Sequence, residues 1–140
     1  MSIPKIGMDT GEGTPAVIIG AGPAGVAAAL VLTSAGVPFR LLERSHRVGG
    51  TLHRVFNPIT IYPGRRHPNG AALAAALADP LDSEGIPVEF GNPVECVDLD
   101  RRRCFVGGEA IDYGALLLAT GTRARRLGVP GERRLEGRGL

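Results

Sequence analysis

Ala16-Val17-Ile18-Ile19-Gly20-Ala21-Gly22-Pro23-Ala24-Gly25 is the stretch on which the reading of this chain turns. Its first four residues are apolar and mostly β-branched, entered from Pro15 and closed by Gly20, as in a buried parallel strand. A helix is expected next, over Pro23 to Ser34: the segment is rich in Ala and Leu, Pro23 suits a first helical turn, and Gly36 stands where a helix stops. Between strand and helix the glycines fall in the order Gly-x-Gly-x-x-Gly. That is the dinucleotide fingerprint, and its glycines differ in purpose. Gly20 makes the tight turn, Gly22 admits a pyrophosphate, and Gly25 lets helix and strand pack closely. Pro23 and Ala24 open the helix, whose backbone N–H groups and dipole would hold the phosphate charge. A glycine turn between any strand and helix is the plainer alternative for such a motif.

Outward from this core, Val37 to Leu42 reads as a second strand ending at Glu43, which completes a right-handed βαβ unit. Glu43 stands 23 residues after Gly20, about where an acid reaches the hydroxyls of an adenosine ribose. An acid there repels a 2′-phosphate and favours FAD or NAD over NADP, whereas Arg44 beside it could pair with such a phosphate. A surface acid ending a strand is the alternative. Arg44 to Gly70 is punctuated by Pro58, Pro63, Gly64 and Pro68 and is expected to be an irregular excursion. Ala71 to Leu81 carries Leu73, Leu77 and Leu81 on one helical stripe despite Pro80. Val88 to Phe90 is a third short strand. Val94 to Leu99, Arg103 to Val106 and Ala110 to Tyr113 suggest an antiparallel meander, and Ala115 to Ala119 a buried strand returning to the parallel sheet. The fold class is therefore α/β: a Rossmann-like, doubly wound parallel sheet with a small antiparallel β-meander.

The bulk numbers agree with this. At 140 residues the chain fits one domain, and 44% apolar against 21% charged residues suits a folded, soluble protein. A net charge of +2 does not point to a polyanion partner. The only basic run lies between Gly121 and Leu140, six Arg against Glu132 and Glu136, and no aromatics interleave with it, so nucleic-acid binding is not expected. No apolar run is long enough to span a membrane, and the first residues lack the apolar centre of a secretory signal. Two Cys in that setting suggest a reducing cytoplasm. Residues 1–14 read as a flexible leader, 15–122 as the FAD/NAD(P)-binding domain, and 123–140 as an Arg-rich tail. Cys96 and Cys104 would lie roughly across a hairpin, and structural thiols are the preferred reading. His46, His53 and His67 show no metal-ligand spacing, and no nucleophile–base arrangement is evident; no metal or catalytic residue is assigned.

Beyond the fingerprint and Glu43, the chain has Gly49-Gly50-Thr51, the Ile61-Tyr62-Pro63-Gly64 turn, Leu117-Leu118-Ala119-Thr120-Gly121-Thr122, and Leu127-Gly128-Val129-Pro130-Gly131-Glu132 followed by Gly137-Arg138-Gly139. In this order they resemble the thioredoxin-reductase-like flavoproteins, a group of FAD/NAD(P)-binding oxidoreductases, over their N-terminal FAD-binding part. The resemblance implies FAD as cofactor, with Gly49 and Gly50 admitting backbone to its flavin side and Thr51 a neighbouring polar contact. It places Val94 where backbone meets adenine, and Thr120 and Gly121 along the pyrophosphate and ribityl region. In the family a nicotinamide domain, often with a Cys-x-x-Cys pair, follows the Gly-Arg-Gly segment, and an FAD segment returns later. Neither is found here, so the fold is expected to be incomplete relative to the family, with NAD(P)H as electron donor but its own domain absent. The sheet would then lack the strand beside Leu116 to Leu118. A partner polypeptide, a homodimer or the folded-back tail would cover that edge. The function expected is that of an FAD-binding oxidoreductase module needing a partner for turnover. The alternatives are a non-catalytic nucleotide-binding accessory or regulatory module, and an inactive remnant.

Overall fold

A computed structural model describes residues 13–62, 64–123 and 125–135. The expected leader lies outside these residues except for Gly13 and Thr14, as do Pro63 of the Ile-Tyr-Pro-Gly turn and the Gly137-Arg138-Gly139 segment. Strand β1 (Ala16–Ile19) leads through the glycine turn into α1 (Pro23–Ser34) and β2 (Phe39–Glu43). A 3-10 turn (Gly50–Arg54) precedes α2 (Gly70–Ser83) and the short β3 (Glu89–Phe90). The meander β4 (Val94–Asp98), β5 (Arg103–Val106) and β6 (Glu109–Asp112) follows, then β7 (Ala115–Leu118) and the single turn α3 (Glu132–Leu135).

The parallel sheet has the order β3-β2-β1-β7. β1 is central, with Ile18 opposite Leu41 on one side and Leu117 on the other. Because side chains alternate along a strand, β1 feeds two cores. Ile18 packs with Leu41, with Val26 and Ala29 of α1, and with Leu73, Leu77 and Leu81 of α2. Val17 and Ile19 point the other way, joining Leu42, Cys104 and Tyr113 beneath the antiparallel sheet. The result is three layers: two helices, the parallel sheet, and the meander β4-β5-β6. A doubly wound sheet would carry helices on both faces. Here the second face is covered by the meander, whose Val97, Val106 and Ile111 supply the apolar cover.

Several boundaries differ from the sequence reading for physical reasons. β2 starts at Phe39 rather than Val37 because the Val37 N–H donates to the Leu32 carbonyl and the Gly36 N–H to Thr33, with Gly36 at φ 66°. These bonds form a Schellman cap that closes α1. α2 is longer than its leucine stripe: the Asn69 side chain accepts from the Ala72 N–H at 2.9 Å, and Gly85 and Ile86 repeat the same cap at the far end. The excursion after β2 is less irregular than expected, containing the 3-10 turn and an antiparallel bridge between Ile59 and His67. The β5–β6 connection is the two-residue Gly107-Gly108 turn, both at positive φ, as a type I′ hairpin requires.

Two expectations are corrected. β7 is half-buried rather than buried: Leu117 packs on the first core and Leu116 on the second, but Leu118 at its end is 68% exposed, and among the described residues the strand pairs only with β1, which leaves the open edge that was expected. The cysteines do not face each other either. Cys96 pairs with Phe105, and Cys104 with Val97, so the one-residue offset turns them to opposite faces. Cys96 is exposed, while Cys104 is a buried free thiol whose pKa is pushed up by that burial.

A close backbone approach lies between α1 and the turn before it: a methyl group at Gly25 would overlap the Gly20 carbonyl oxygen, which is backbone and cannot step aside. Gly25→Ala is therefore expected to destabilise the chain by about 1–3 kcal/mol or more, read as a lowered midpoint in urea unfolding. An unchanged midpoint would show that α1 can back away from the strand freely.

Candidate functional site

The carboxyl ends of β1, β2 and β7 open onto a cleft of about 460 Å³, the place where open α/β sheets bind ligands. The β1–α1 turn forms its floor. Gly20 sits at φ 106°, a conformation that favours glycine, and a side chain there would run into the Ala119 backbone. Gly22 is different: a Cβ built on it meets nothing within 4 Å, because it faces the open cleft. Gly22 is also the N-cap of α1, with no side-chain cap and no acidic residue in the first turn. The first intrahelical bond is Val26 N–H to Gly22 O at 3.0 Å. The N–H groups of Ala24 and Gly25 precede it and, like any first-turn donors, have no partner within the helix.

Glu43 ends β2 and forms one wall. The residue is 6% exposed and its carboxylate is held by the protein: Oε2 accepts from the Ala21 N–H at 2.7 Å, and Oε1 from the Ser45 N–H and hydroxyl at 2.8 Å each. Burial pushes its pKa up. The Ala21 and Ser45 hydrogen bonds and the nearby Arg44 charge outweigh that, and the pKa lies below its ordinary value. A carboxylate has about four lone-pair sites; two backbone N–H groups occupy it here, and the single Ser45 hydroxyl proton is shared with the Arg47 carbonyl at 2.9 Å, so Glu43 keeps capacity for a further donor.

The loop after β2 comes back beside the fingerprint. The Gly49 N–H donates to the Ala21 carbonyl at 2.8 Å, and Gly50 lies against Gly22, its would-be Cβ 3.8 Å from the Gly22 Cα. Thr51 lines the cleft next to Gly50, and Thr120 and Gly121 face them from the end of β7. The cleft thus brings together Gly20, Gly22, Pro23, Ala24, Glu43, Arg44, Gly50, Thr51, Thr120 and Gly121. Gly25 and Gly49 support it from beneath, whereas Val94 lies on β4 against the second core and does not line it.

Sequence reasoning missed part of the lining: Ser45, Arg47, His53, Arg54, Thr122 and Arg123. The recurrence of Arg at 44, 47 and 54 in one loop was a readable signal for the positive wall. The role of Ser45 was not, because it depends on how the chain bends after β2. His53 is held through Nε2, 2.7 Å from the Val48 carbonyl. A second hollow of about 520 Å³, lined by Arg126, Gly128, Val129, Gly131 and Glu132 among others, contains no fingerprint residue. Its carboxylate is committed to the Leu127 and Gly128 N–H groups at 2.8 Å. Among the described residues no cluster of His, Cys, Asp and Glu could hold a metal ion, and no helix is long and apolar enough to cross a membrane.

Because the folded-state pKa of Glu43 is depressed, its stabilising contribution is present above the unfolded carboxylate value, about 4.3, and is lost as pH falls through the folded value. Glu43→Gln should cost about 1–3 kcal/mol near neutrality, with the gap to wild type narrowing below about pH 4.3. Urea unfolding of both proteins across that range checks this; a gap independent of pH would mean that the charge of Glu43 is not what the turn uses.

Known proteins with the same arrangement place the chain. The profile of the pyridine nucleotide-disulphide oxidoreductase family matches residues 14–140. The thioredoxin reductase of Peptoclostridium acidaminophilum is 36% identical over 129 residues, covering 88% of this chain and 39% of that enzyme. The 34.2 kDa protein in the rubredoxin operon of Clostridium pasteurianum is 33% identical over 124 residues, covering 87% and 40%. Among solved structures, the thioredoxin reductase of Lactococcus lactis superposes with a TM-score of 0.72 at 30% identity, again over 87% of this chain and 40% of that one. The chain thus spans about two fifths of the length of these relatives. With its fingerprint turn, its three-layer fold and a profile match over nearly all its length, the chain belongs to the pyridine nucleotide-disulphide oxidoreductase family.

Proposed function

We propose that this chain is the FAD-binding module of a pyridine-nucleotide-dependent flavoprotein oxidoreductase. The observation that carries the reading is the open space at Gly22: of the three fingerprint glycines it alone borders the cleft without a neighbour, in a cradle that a side chain would fill. The pyrophosphate of FAD would lie there, at the N-terminus of α1, with Arg44, Arg47, Arg54 and Arg123 offsetting its charge. Glu43 would accept from one ribose hydroxyl, its position already fixed by Ala21 and Ser45. Gly50 and Thr51 on one side and Thr120 and Gly121 on the other would flank the chain leading to the flavin. When bound, the flavin supplies the redox chemistry, accepting a hydride from NADH or NADPH and passing electrons on. The protein's part is binding, orientation and charge compensation.

Turnover would need more than residues 15–122, the unit assigned to cofactor binding, with the Arg-rich 123–140 as its tail. The outer edge of β7 supports that view. An apolar strand carrying exposed Leu118 at the mouth of the cleft is where a further segment, a partner chain or a second copy would pair. We place the protein in the cytoplasm. An accessory role, holding the nucleotide without turnover, draws support from the thiols: Cys96 and Cys104 point to opposite faces of the meander and neither lines the cleft.

FAD titration of the purified chain, NAD(P)H oxidation and mass by light scattering test the proposal together. We expect weak FAD binding without turnover by the monomer, and no binding by Gly22→Val with an unchanged circular dichroism spectrum. Tight FAD with turnover in a monomer would refute the need for a partner, and binding by Gly22→Val equal to wild type would refute the phosphate assignment.

A further inference from the structure

His53 lines the cleft from the 3-10 turn (Gly50–Arg54) that also carries Gly50 and Thr51. Its imidazole is half-buried and tethered, with Nε2 lying 2.7 Å from the Val48 carbonyl oxygen. A carbonyl has no proton to give, so Nε2 carries the hydrogen and donates it. The tether ends on a fixed segment, because Val48 and Leu52 both pack against the first core. In the neutral ring this leaves Nδ1 with a bare lone pair. Nδ1 has no partner among the described residues. Among the same residues no buried polar side-chain atom lacks a partner, so an Nδ1 without one is in reach of solvent.

A bare lone pair is scarce in this cleft. The exposed guanidinium groups of Arg44, Arg47, Arg54 and Arg123 are donors only. Thr51, Thr120 and Thr122 bear hydroxyls, which bring a proton of their own to be placed. Besides His53, the side chain here that accepts without donating is Glu43, at the end of β2. FAD presents hydroxyl donors in two places, on the adenosine ribose and on the ribityl chain between pyrophosphate and flavin, whereas the pyrophosphate itself takes donors. Glu43 serves the first of these in the function proposed above, and His53 shares its turn with the residues that flank the second. Resting on the reading of this cleft as an FAD site, we infer that His53 is a further cofactor-binding residue, whose Nδ1 accepts a hydrogen bond from a ribityl hydroxyl. The Val48 carbonyl sets the tautomer that makes Nδ1 an acceptor and fixes the ring in place. One acceptor then stands at each end of a cleft otherwise lined by donors and hydroxyls.

The test separates this contact from the rest of the site by the choice of ligand. FAD and ADP share the adenosine and the two phosphates, but ADP has no ribityl chain. Binding of each to the purified chain is measured by equilibrium dialysis up to the millimolar range, for wild type, His53→Gln and His53→Phe. The Gln amide can still donate to the Val48 carbonyl, yet it leaves no acceptor at the place of Nδ1. FAD affinity should fall about threefold to tenfold in both variants, as the loss of one hydrogen bond allows, while ADP affinity stays at the wild-type value. Wild-type FAD affinity in His53→Gln would overturn the inference and leave the histidine as a brace for Val48. An equal fall for FAD and ADP would overturn it as well, because the ring would then support the whole cleft rather than the ribityl chain. A wild-type chain that binds ADP but not FAD, or neither, would overturn the FAD reading and this inference with it.

Discussion

The peptide unit of Ala21 is held from both sides, and the remainder of the site depends on it. Its N–H donates to the buried Glu43 carboxylate, and its carbonyl accepts from the Gly49 N–H. Both bonds are made to segments that follow in the chain, so the end of β2 and the loop beyond brace the fingerprint turn. Ala21 is itself fully buried, where an unpaired peptide group would be costly. This constraint leaves the next residue, Gly22, as the point at which the turn opens to solvent.

The packing beneath serves the same end. Gly25 brings α1 against the Gly20 carbonyl, Gly70 brings α2 against the Leu52 carbonyl, and Gly49 lies against Ala74 of α2. These backbone approaches draw the loop after β2 toward the helices, so that its arginines line the cleft instead of spreading over the surface. Exposed charge is screened by salt, so gathering these arginines on one wall concentrates their field where scattered ones would be weak.

Much of this was legible in the sequence. The bounds of β1 and α1 follow from the β-branched run, Pro23 and Gly36, because local chemistry decides them. The start of β2 did not, since Val37 reads as strand by composition yet spends its N–H closing α1. β7 misled only in its burial: a run of leucines signals a buried strand, yet Leu118 is exposed, whereas the open edge beside β7 among the described residues is the one expected. At the site, ten of the thirteen residues singled out line the cleft and Gly25 and Gly49 underpin it, whereas Val94 belongs to the second core. The partners of Glu43 were out of reach, because a carboxylate's hydrogen bonds depend on backbone donors that sequence does not position.

Whether this cleft holds FAD through its ADP half is decided most directly by what the protein carries. The purified chain is dialysed to equilibrium against FAD at concentrations reaching the millimolar range, and the nucleotide enriched on the protein side is quantified and identified by chromatography and mass spectrometry. Saturable enrichment of FAD is expected with wild type and should be lost with Gly22→Val. A wild-type protein that enriches no FAD, or a variant that enriches as much as wild type, would contradict the assignment of this cleft.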